Sequence, residues 1–181
     1  MPSRPLAVLD ACVLINLLAT GRAEEILGAS DHSFAICTVV RNESIYLRAA
    51  DPSAPPEEVK LDGLVGSGCL KVLGLSGNPE DALYIDYAGQ LDDGEAMSLA
   101  LAQSRGLFMA TDDRKARRLF MEEVQDSGRL LSTAGILRRW SEKVALEREE
   151  VKKLLLDVSR RGRFFPKPGD PDFAWWSDAV A

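Results

Sequence analysis

Short apolar runs alternate along the chain with longer segments in which apolar residues recur every three to four positions. Four apolar runs predict buried strands, at residues 6–9, 33–37, 69–73 and 107–111. The segments with helical spacing predict helices, at residues 11–19, 22–27, 79–88, 91–102 and 114–123. Strands and helices are therefore expected to follow each other in turn over most of the chain.

The stretch after the second predicted strand brings an acid close to the sheet. Thr38 can cap a helix, and the spacing of residues 39, 40, 44 and 47 predicts that helix, with Glu43 in its first turns. Three prolines predict a loop at residues 51–56, and a further helix is expected at residues 57–65. Residues 130–131 predict a short edge strand.

Alternating strands and helices predict a parallel sheet covered on both faces, which is a three-layer α/β fold. The 181 residues fit one domain of ordinary size with an extension. After residue 133 the pattern predicts two more helices, around residues 136–140 and 149–158, and then an aromatic tail. We therefore expect one domain over residues 1–140 and an extension over residues 141–181, packed on that domain or on a partner.

Composition and charge restrict the function. The chain is 46% hydrophobic and 28% charged, as in globular proteins, and no apolar run approaches the roughly 20 residues of a membrane span. Its first residues lack the pattern of a secretory signal, so a cytoplasmic protein is expected. The net charge is −6, yet residues 114–163 hold fourteen basic against eight acidic residues. This pattern suits an enzyme that acts on a polyanion, although a solvated basic helix face would also produce it.

Cysteine and histidine suggest no chemistry of their own. Cys12, Cys37 and Cys69 are widely spaced and form no CxxC pair, so they predict small buried side chains rather than disulfides or a zinc site. His32 is the only histidine and has no serine or cysteine motif that would complete a catalytic triad. Metal-free nucleophilic catalysis is therefore not indicated.

Acidic residues stand where predicted strands end or the following helices begin. They are Asp10, Glu43, Glu95 and the pair Asp112 and Asp113. Because parallel strands direct their carboxyl ends to one edge of the sheet, these side chains are expected to meet there. Grouped carboxylates repel each other unless cations balance them, and their hard oxygen atoms suit Mg²⁺ or Mn²⁺.

The motifs around these acids resemble the four acidic motifs of PIN-domain proteins. They are residues 10–16 (DACVLIN), Glu43 within residues 39–43 (VVRNE), Gly94-Glu95-Ala96, and residues 111–114 (TDDR). The resemblance covers about residues 5–140 and is closest to predicted nucleic-acid-binding PIN proteins with a Gly-Glu-Ala third motif. The wider family includes the VapC-type toxin ribonucleases. The resemblance thus implies a PIN-like nuclease domain over residues 1–140.

The resemblance also implies roles for individual residues. Asp10, Glu43, Glu95 and one of Asp112 or Asp113 would hold the Mg²⁺ or Mn²⁺ ions and serve as the catalytic acids. Asp112 lies nearer the strand end, whereas Asp113 matches family members in which one residue separates the threonine from the acid. Asn16 matches a polar position, one to two helical turns beyond Asp10, that could support the site. The residues expected to bind the substrate are Asn16, Arg114 and Lys115.

Two functions follow from these expectations. The first is a metal-dependent endoribonuclease that hydrolyses RNA with a metal-activated water. One form of this function is the toxin of a toxin-antitoxin pair, with an antitoxin protein as partner. The second is a catalytically weak PIN-like module that binds nucleic acid or protein. Three features motivate the second: the acidic net charge, the long C-terminal extension, and Cys12, at a position where the family commonly has a hydroxyl residue. The resemblance implies a homodimer, and the aromatic tail is expected to cover its own domain or a partner.

Overall fold

The computed structural model of the protein describes residues 4–49, 51 and 53–181. Its central strands are β1 (Leu6–Leu9), β2 (Ser33–Cys37), β5 (Leu70–Leu73), β6 (Phe108–Ala110) and β7 (Leu130–Leu131). All of them run parallel, in the order β5-β2-β1-β6-β7. In the register of the sheet, Leu9 of β1 lies opposite Ile36 of β2 on one side and opposite Ala110 of β6 on the other. The strand ends after Leu9 and Ala110 are therefore level.

Helices cover both faces of this sheet. They are α1 (Ala11–Ala19), α2 (Ala23–Ala29), α3 (Thr38–Asn42), α4 (Asp62–Gly66), α5 (Glu80–Ala88), α6 (Asp93–Ser104), α7 (Arg114–Glu123), α8 (Thr133–Lys143), α9 (Arg148–Asp157) and α10 (Phe173–Val180). Helices α5, α6 and α7 pack together, as do α1, α2 and α8. Neighbouring residues of β6 enter different cores, Met109 on one face and Ala110 on the other, because side chains alternate along a strand. The predicted three-layer α/β fold is confirmed.

Most predicted elements lie where the pattern placed them. Strands β1, β2 and β7 and helices α1 and α7 begin and end at the predicted residues. Strands β5 and β6 and helices α2, α5 and α6 differ from prediction by one or two residues at an end. The two predicted helices after residue 133 appear as α8 and α9. The predicted loop at 51–56 contains no regular structure in its described residues, and Pro52 lies outside them.

Two helix predictions were wrong, one before that loop and one after it. Helix α3 ends at Asn42, and Glu43 follows it in extended conformation instead of lying within a helix. Residues 45–47 form strand β3 (Ile45–Leu47), which pairs antiparallel with β4 (Glu57–Val59), so the helix expected at 57–65 is only α4. The overlooked signal is the period of two in which buried Ile45 and Leu47 flank exposed Tyr46.

The C-terminal extension packs on the sheet domain. A π-helical turn, Val158–Gly162, continues α9 and lies against α1. The tail then crosses to α10, where the fully buried Trp176 joins the same core as Leu9. Phe164 meets Trp176 edge to face, with ring centroids 5.4 Å apart. Among the described residues, no helix has both the length and the apolar character that a membrane crossing requires.

Candidate functional site

Asp10 is the buried centre of the site. It follows β1 directly, its backbone N–H donates to the Ala110 carbonyl at 2.9 Å, and its side chain is only 3% exposed. The carboxylate Oδ2 accepts hydrogen bonds from the Thr111 hydroxyl at 2.9 Å and from the Cys12 thiol at 3.1 Å. Burial raises the pKa of Asp10, and the two hydrogen bonds partly offset this effect. The fold thus holds a carboxylate where water solvates it poorly.

Cys12 supplies one of these hydrogen bonds. Burial is the largest cause that raises the pKa of its thiol, followed by the negative charges of Asp10 and Asp112. The thiol therefore stays protonated and can donate to Asp10. The sequence assigned no role to Cys12 beyond packing, whereas the structure shows it orienting a site carboxylate. It occupies the place that a hydroxyl residue would take.

Glu43 lies against the start of α6, the helix that carries Glu95. A Cβ atom on Gly94 would lie only 3.1 Å from Glu43 Oε1 and 3.1 Å from Val40 Cγ2, so glycine lets Glu43 approach the first turn of α6. Burial raises the pKa of Glu95 to about 7, with further contributions from Asp10, Asp92 and Asp113. The pKa of Glu43 is also raised, first by burial and then by Asp92 and Asp10. Both glutamates therefore lie in the negative field of Asp10 and Asp92.

Asp112 is held from two sides. Its Oδ2 accepts from the Thr133 hydroxyl at 2.6 Å and from the Asn16 amide at 3.2 Å, while its Oδ1 accepts from the Thr133 N–H at 3.0 Å. Asn16 is only 3% exposed and also donates to the Thr133 hydroxyl at 3.1 Å. Burial raises the pKa of Asp112, while the hydrogen bonds from Thr133 lower it. Asn16 therefore contacts a site acid and lies in the interior.

Asp113 and the basic residues after it have different surroundings. The Asp113 carboxylate caps α7, accepting from the N–H groups of Lys115 at 2.7 Å and Ala116 at 2.9 Å. Arg114 is exposed, and the Lys115 ammonium donates to the Gln90 carbonyl. Arg117 Nη1 instead donates to the carbonyls of Thr111 and Leu131, at 2.8 and 3.2 Å. Arg117 thus braces the ends of β6 and β7.

The sequence analysis assigned no role to four residues that complete the site. Asp92 caps α6 through a 2.8 Å hydrogen bond from the Glu95 N–H, and its charge acts on Glu95 and Glu43. The neighbouring Asp93 also contributes to Glu43. Thr111 and Thr133 orient the two buried aspartates. An Asp three residues before Glu95 is a recognisable helix-cap signal, whereas Thr133 has no local signal because its partner lies 21 residues away.

The donor set fits divalent cations in its chemistry and its charge. Carboxylate oxygens are hard ligands, and the pKa shifts record repulsion between the acids. Across residues 4–49, 51 and 53–181, none of the five predicted ligands forms an ion pair with Lys or Arg. Within the same residues no three acidic, His or Cys side chains converge closely enough to ligate one ion. The acids therefore have no direct ion pair among these residues, although Arg117 lowers the pKa of Asp112 from a longer distance.

Replacing Glu95 by Gln should stabilise the metal-free protein above neutral pH. Because the folded-state pKa of about 7 exceeds the ordinary 4.5, the folded protein keeps a proton that the unfolded chain releases between these values. Stability from this group therefore falls as pH rises through that window and stays low above it. At a pH above 7 the gain should be about 1 kcal/mol, after discounting the shift for solvent screening.

Thermal unfolding in the presence of chelator, at pH values on either side of that window, measures this effect. Glu24→Gln is the matched control, because Glu24 is exposed on α2 and loses the same charge. A Glu95→Gln protein whose stability changes with pH as steeply as the wild type would contradict the raised pKa of Glu95.

Comparison with known proteins agrees with this arrangement. The family model described as a PIN domain matches residues 6–168, which includes the sheet, all the site acids and the start of the extension. No curated protein and no solved structure matches the sequence. Since the family match covers most of the chain, this chain belongs to the PIN-domain family.

Proposed function

We propose that the protein is a metal-dependent ribonuclease that hydrolyses RNA phosphodiester bonds. PIN domains have a nuclease-like fold, and the family match covers the whole sheet domain. The observation that carries the proposal is the gathering of acids around the buried Asp10, with no basic side chain paired to them among the described residues. A polyanionic substrate could not approach such a site unless cations balanced its charge.

The proposed ligands are Asp10, Glu43 and Glu95, with the fourth from Asp112 or Asp113. When bound there, Mg²⁺ or Mn²⁺ would lower the pKa of a water molecule and stabilise the charge that develops on the leaving oxygen. Asp113 differs from Asp112 in having one carboxylate oxygen without a hydrogen bond among the described residues, whereas Asn16 and Thr133 occupy both oxygens of Asp112. Both aspartates stay in the proposal.

The side chains around the acids have supporting tasks. Cys12 and Thr111 orient Asp10, and Asn16 and Thr133 orient Asp112, so hydrogen bonds within the protein hold these two aspartates. The exposed Arg114 is placed to contact a substrate phosphate, as is Lys115 once it leaves the Gln90 carbonyl. The described site contains no histidine, so we assign the attack to water and not to a side chain.

The Cys12 hydrogen bond favours the enzyme over the alternative of a binding module. One of the three grounds for that alternative was the absence of a hydroxyl group two residues after Asp10. Since the Cys12 thiol donates to Asp10 at 3.1 Å, the contact expected of a hydroxyl is present. A toxin role, an antitoxin partner, a homodimer and a cytoplasmic location stay predictions.

A panel of single-stranded and structured RNAs, incubated with Mg²⁺, Mn²⁺ or chelator, tests the proposal. Cleavage by the wild type should require metal and should be lost in Glu95→Ala, because this change removes a proposed ligand. Glu24→Gln should cleave like the wild type. Cleavage that persists in chelator, or an unchanged rate in Glu95→Ala, would refute the mechanism, and metal binding without any cleavage would support the binding module instead.

A further inference from the structure

A cleft of about 500 Å³ opens beside Asp112, between the start of α7 and the segment that joins the π-helical turn to α10. We call this the extension cleft, because residues 163–171 form most of its wall. Its lining includes Asp112, Arg114, Arg117, Arg163, Phe165 and Lys167. The extension cleft thus connects the C-terminal extension to the acidic site.

Positive charge dominates the extension cleft. Arg114, Arg117, Arg163 and Lys167 line it, against the acids Asp112 and Asp170. In the part of the chain that the structure describes, none of these four basic side chains forms an ion pair, whereas Arg118, on the same helix, pairs with Glu122 at 3.6 Å. The charges of Arg114, Arg163 and Lys167 are therefore available to phosphate groups. Arg117 is instead held by the carbonyls of Thr111 and Leu131.

Arg163 extends this positive surface away from the acids. It also lines a second cleft, of about 570 Å³, together with Arg48 and Arg160. Arg163 has a φ angle of 60°, in the left-handed region that favours glycine or asparagine. An arginine at such a position carries backbone strain, which is consistent with a side chain retained for its charge. The basic residues therefore form one path from Asp112 across both clefts.

An aromatic ring stands on this path. Phe165 is 47% exposed, although its ring meets Phe173 and Trp176 edge to face, with centroids 6.2 and 6.0 Å away. Its neighbour Phe164 is anchored on the buried Trp176. Phe165 is thus held in place while part of its ring faces solvent. Exposed aromatic rings beside basic residues are the usual platform on which unpaired bases stack.

We propose that the extension cleft binds a single strand of RNA, with its phosphates on Arg163 and Lys167 and a base stacked on Phe165, and leads it to the acidic site. This inference rests on the proposed ribonuclease function and specifies its substrate. A duplex keeps its bases paired and stacked, so it cannot place one on Phe165. The C-terminal extension is then part of the substrate site as well as a cover for the core.

Binding of a short labelled RNA to the full-length protein, followed by fluorescence anisotropy in chelator, tests this inference without requiring cleavage. The single strand should bind more tightly than a duplex of the same sequence. The double variant Arg163→Gln/Lys167→Gln should bind the single strand roughly 20-fold more weakly at about 0.1 M salt, and the slope of log affinity against log salt should fall by about 1.4. The control Lys71→Gln/Lys153→Gln removes two exposed charges elsewhere and should bind like the wild type.

Phe165 is tested by two conservative variants. Phe165→Leu keeps an apolar side chain against Trp176 but has no ring, so single-strand affinity should fall about tenfold with little change in salt slope. Phe165→Tyr keeps the ring and should bind like the wild type. Thermal unfolding of each variant reports whether the tail still packs.

The two proposals fail in different ways. Equal affinity of the Arg163/Lys167 double variant and its control, or equal affinity of the wild type for single strand and duplex, would overturn the role of the extension cleft whatever the cleavage assay shows. Loss of cleavage in Glu95→Ala with unchanged binding by the double variant would leave a nuclease that takes its substrate elsewhere. Selective single-strand binding that requires both basic residues would support the inference even if no RNA were cleaved.

Discussion

Replacing Asp10 by Asn should lower the rate of metal-dependent RNA cleavage by at least about a thousandfold. Bound metal supplies several kcal/mol of transition-state stabilisation, and each 1.36 kcal/mol that is lost slows the reaction tenfold. Asp10 is the most buried of the proposed ligands, at 3% exposure, and its negative charge contributes to the raised pKa values of Glu95 and Glu43. An amide oxygen is a weaker ligand for Mg²⁺ than a carboxylate, and the change also removes one negative charge from the site.

The fold should survive this substitution. Asparagine has nearly the shape of aspartate, and the Thr111 hydroxyl that donates to Asp10 can rotate to accept from an amide. Since burial raises the pKa of Asp10, a neutral side chain should be tolerated at least as well as the ion. Single-turnover cleavage and Mn²⁺ titration by calorimetry measure the effect, with Glu24→Gln as the equal-charge control. A cleavage rate within a few-fold of wild type would remove Asp10 from the mechanism.

Replacing Gly162 by Ala should damage the site from a distance. A Cβ atom at Gly162 would lie 2.6 Å from Asn16 Oδ1 and 3.4 Å from Asn16 Cα, closer than van der Waals contact in the first case. Asn16 is buried and its amide donates to both Asp112 and Thr133, so its side chain cannot move aside without losing a hydrogen bond. We expect cleavage to slow about 10- to 100-fold, as when a group that supports a metal ligand is lost, and stability to fall by about 1–3 kcal/mol.

Gly28→Ala is the matched control for this prediction. Gly28 lies in α2 and a Cβ atom there would meet nothing within 4 Å, so alanine should be neutral or stabilise by up to about 1 kcal/mol. A double-mutant cycle with Asn16→Ala identifies the cause, because Gly162→Ala should cost less stability once Asn16 is truncated. Equal melting temperatures and rates for the two glycine variants would contradict the predicted clash.

The sequence alone determined the layered fold and the position of most of the acids. Strand β1 and helix α1 are predicted to the residue because a short apolar run ends sharply at Asp10, where helical spacing begins. Parallel strands end level with each other, so acids that follow such runs must gather at one edge. The local pattern therefore sufficed for Asp10, Glu95, Asp112 and Asp113.

Only the tertiary structure decided which side chains support these acids. Glu43 reaches the site because α3 ends at Asn42 and strand β3 pairs with β4. That pairing joins residues that are ten or more positions apart in the sequence. The contacts of Asp112 with Asn16 and Thr133 span 96 and 21 residues. Gly162 and the extension cleft likewise depend on where the last helices pack. Periodicity records only whether a residue faces the core, whereas these contacts depend on which distant segments meet in three dimensions.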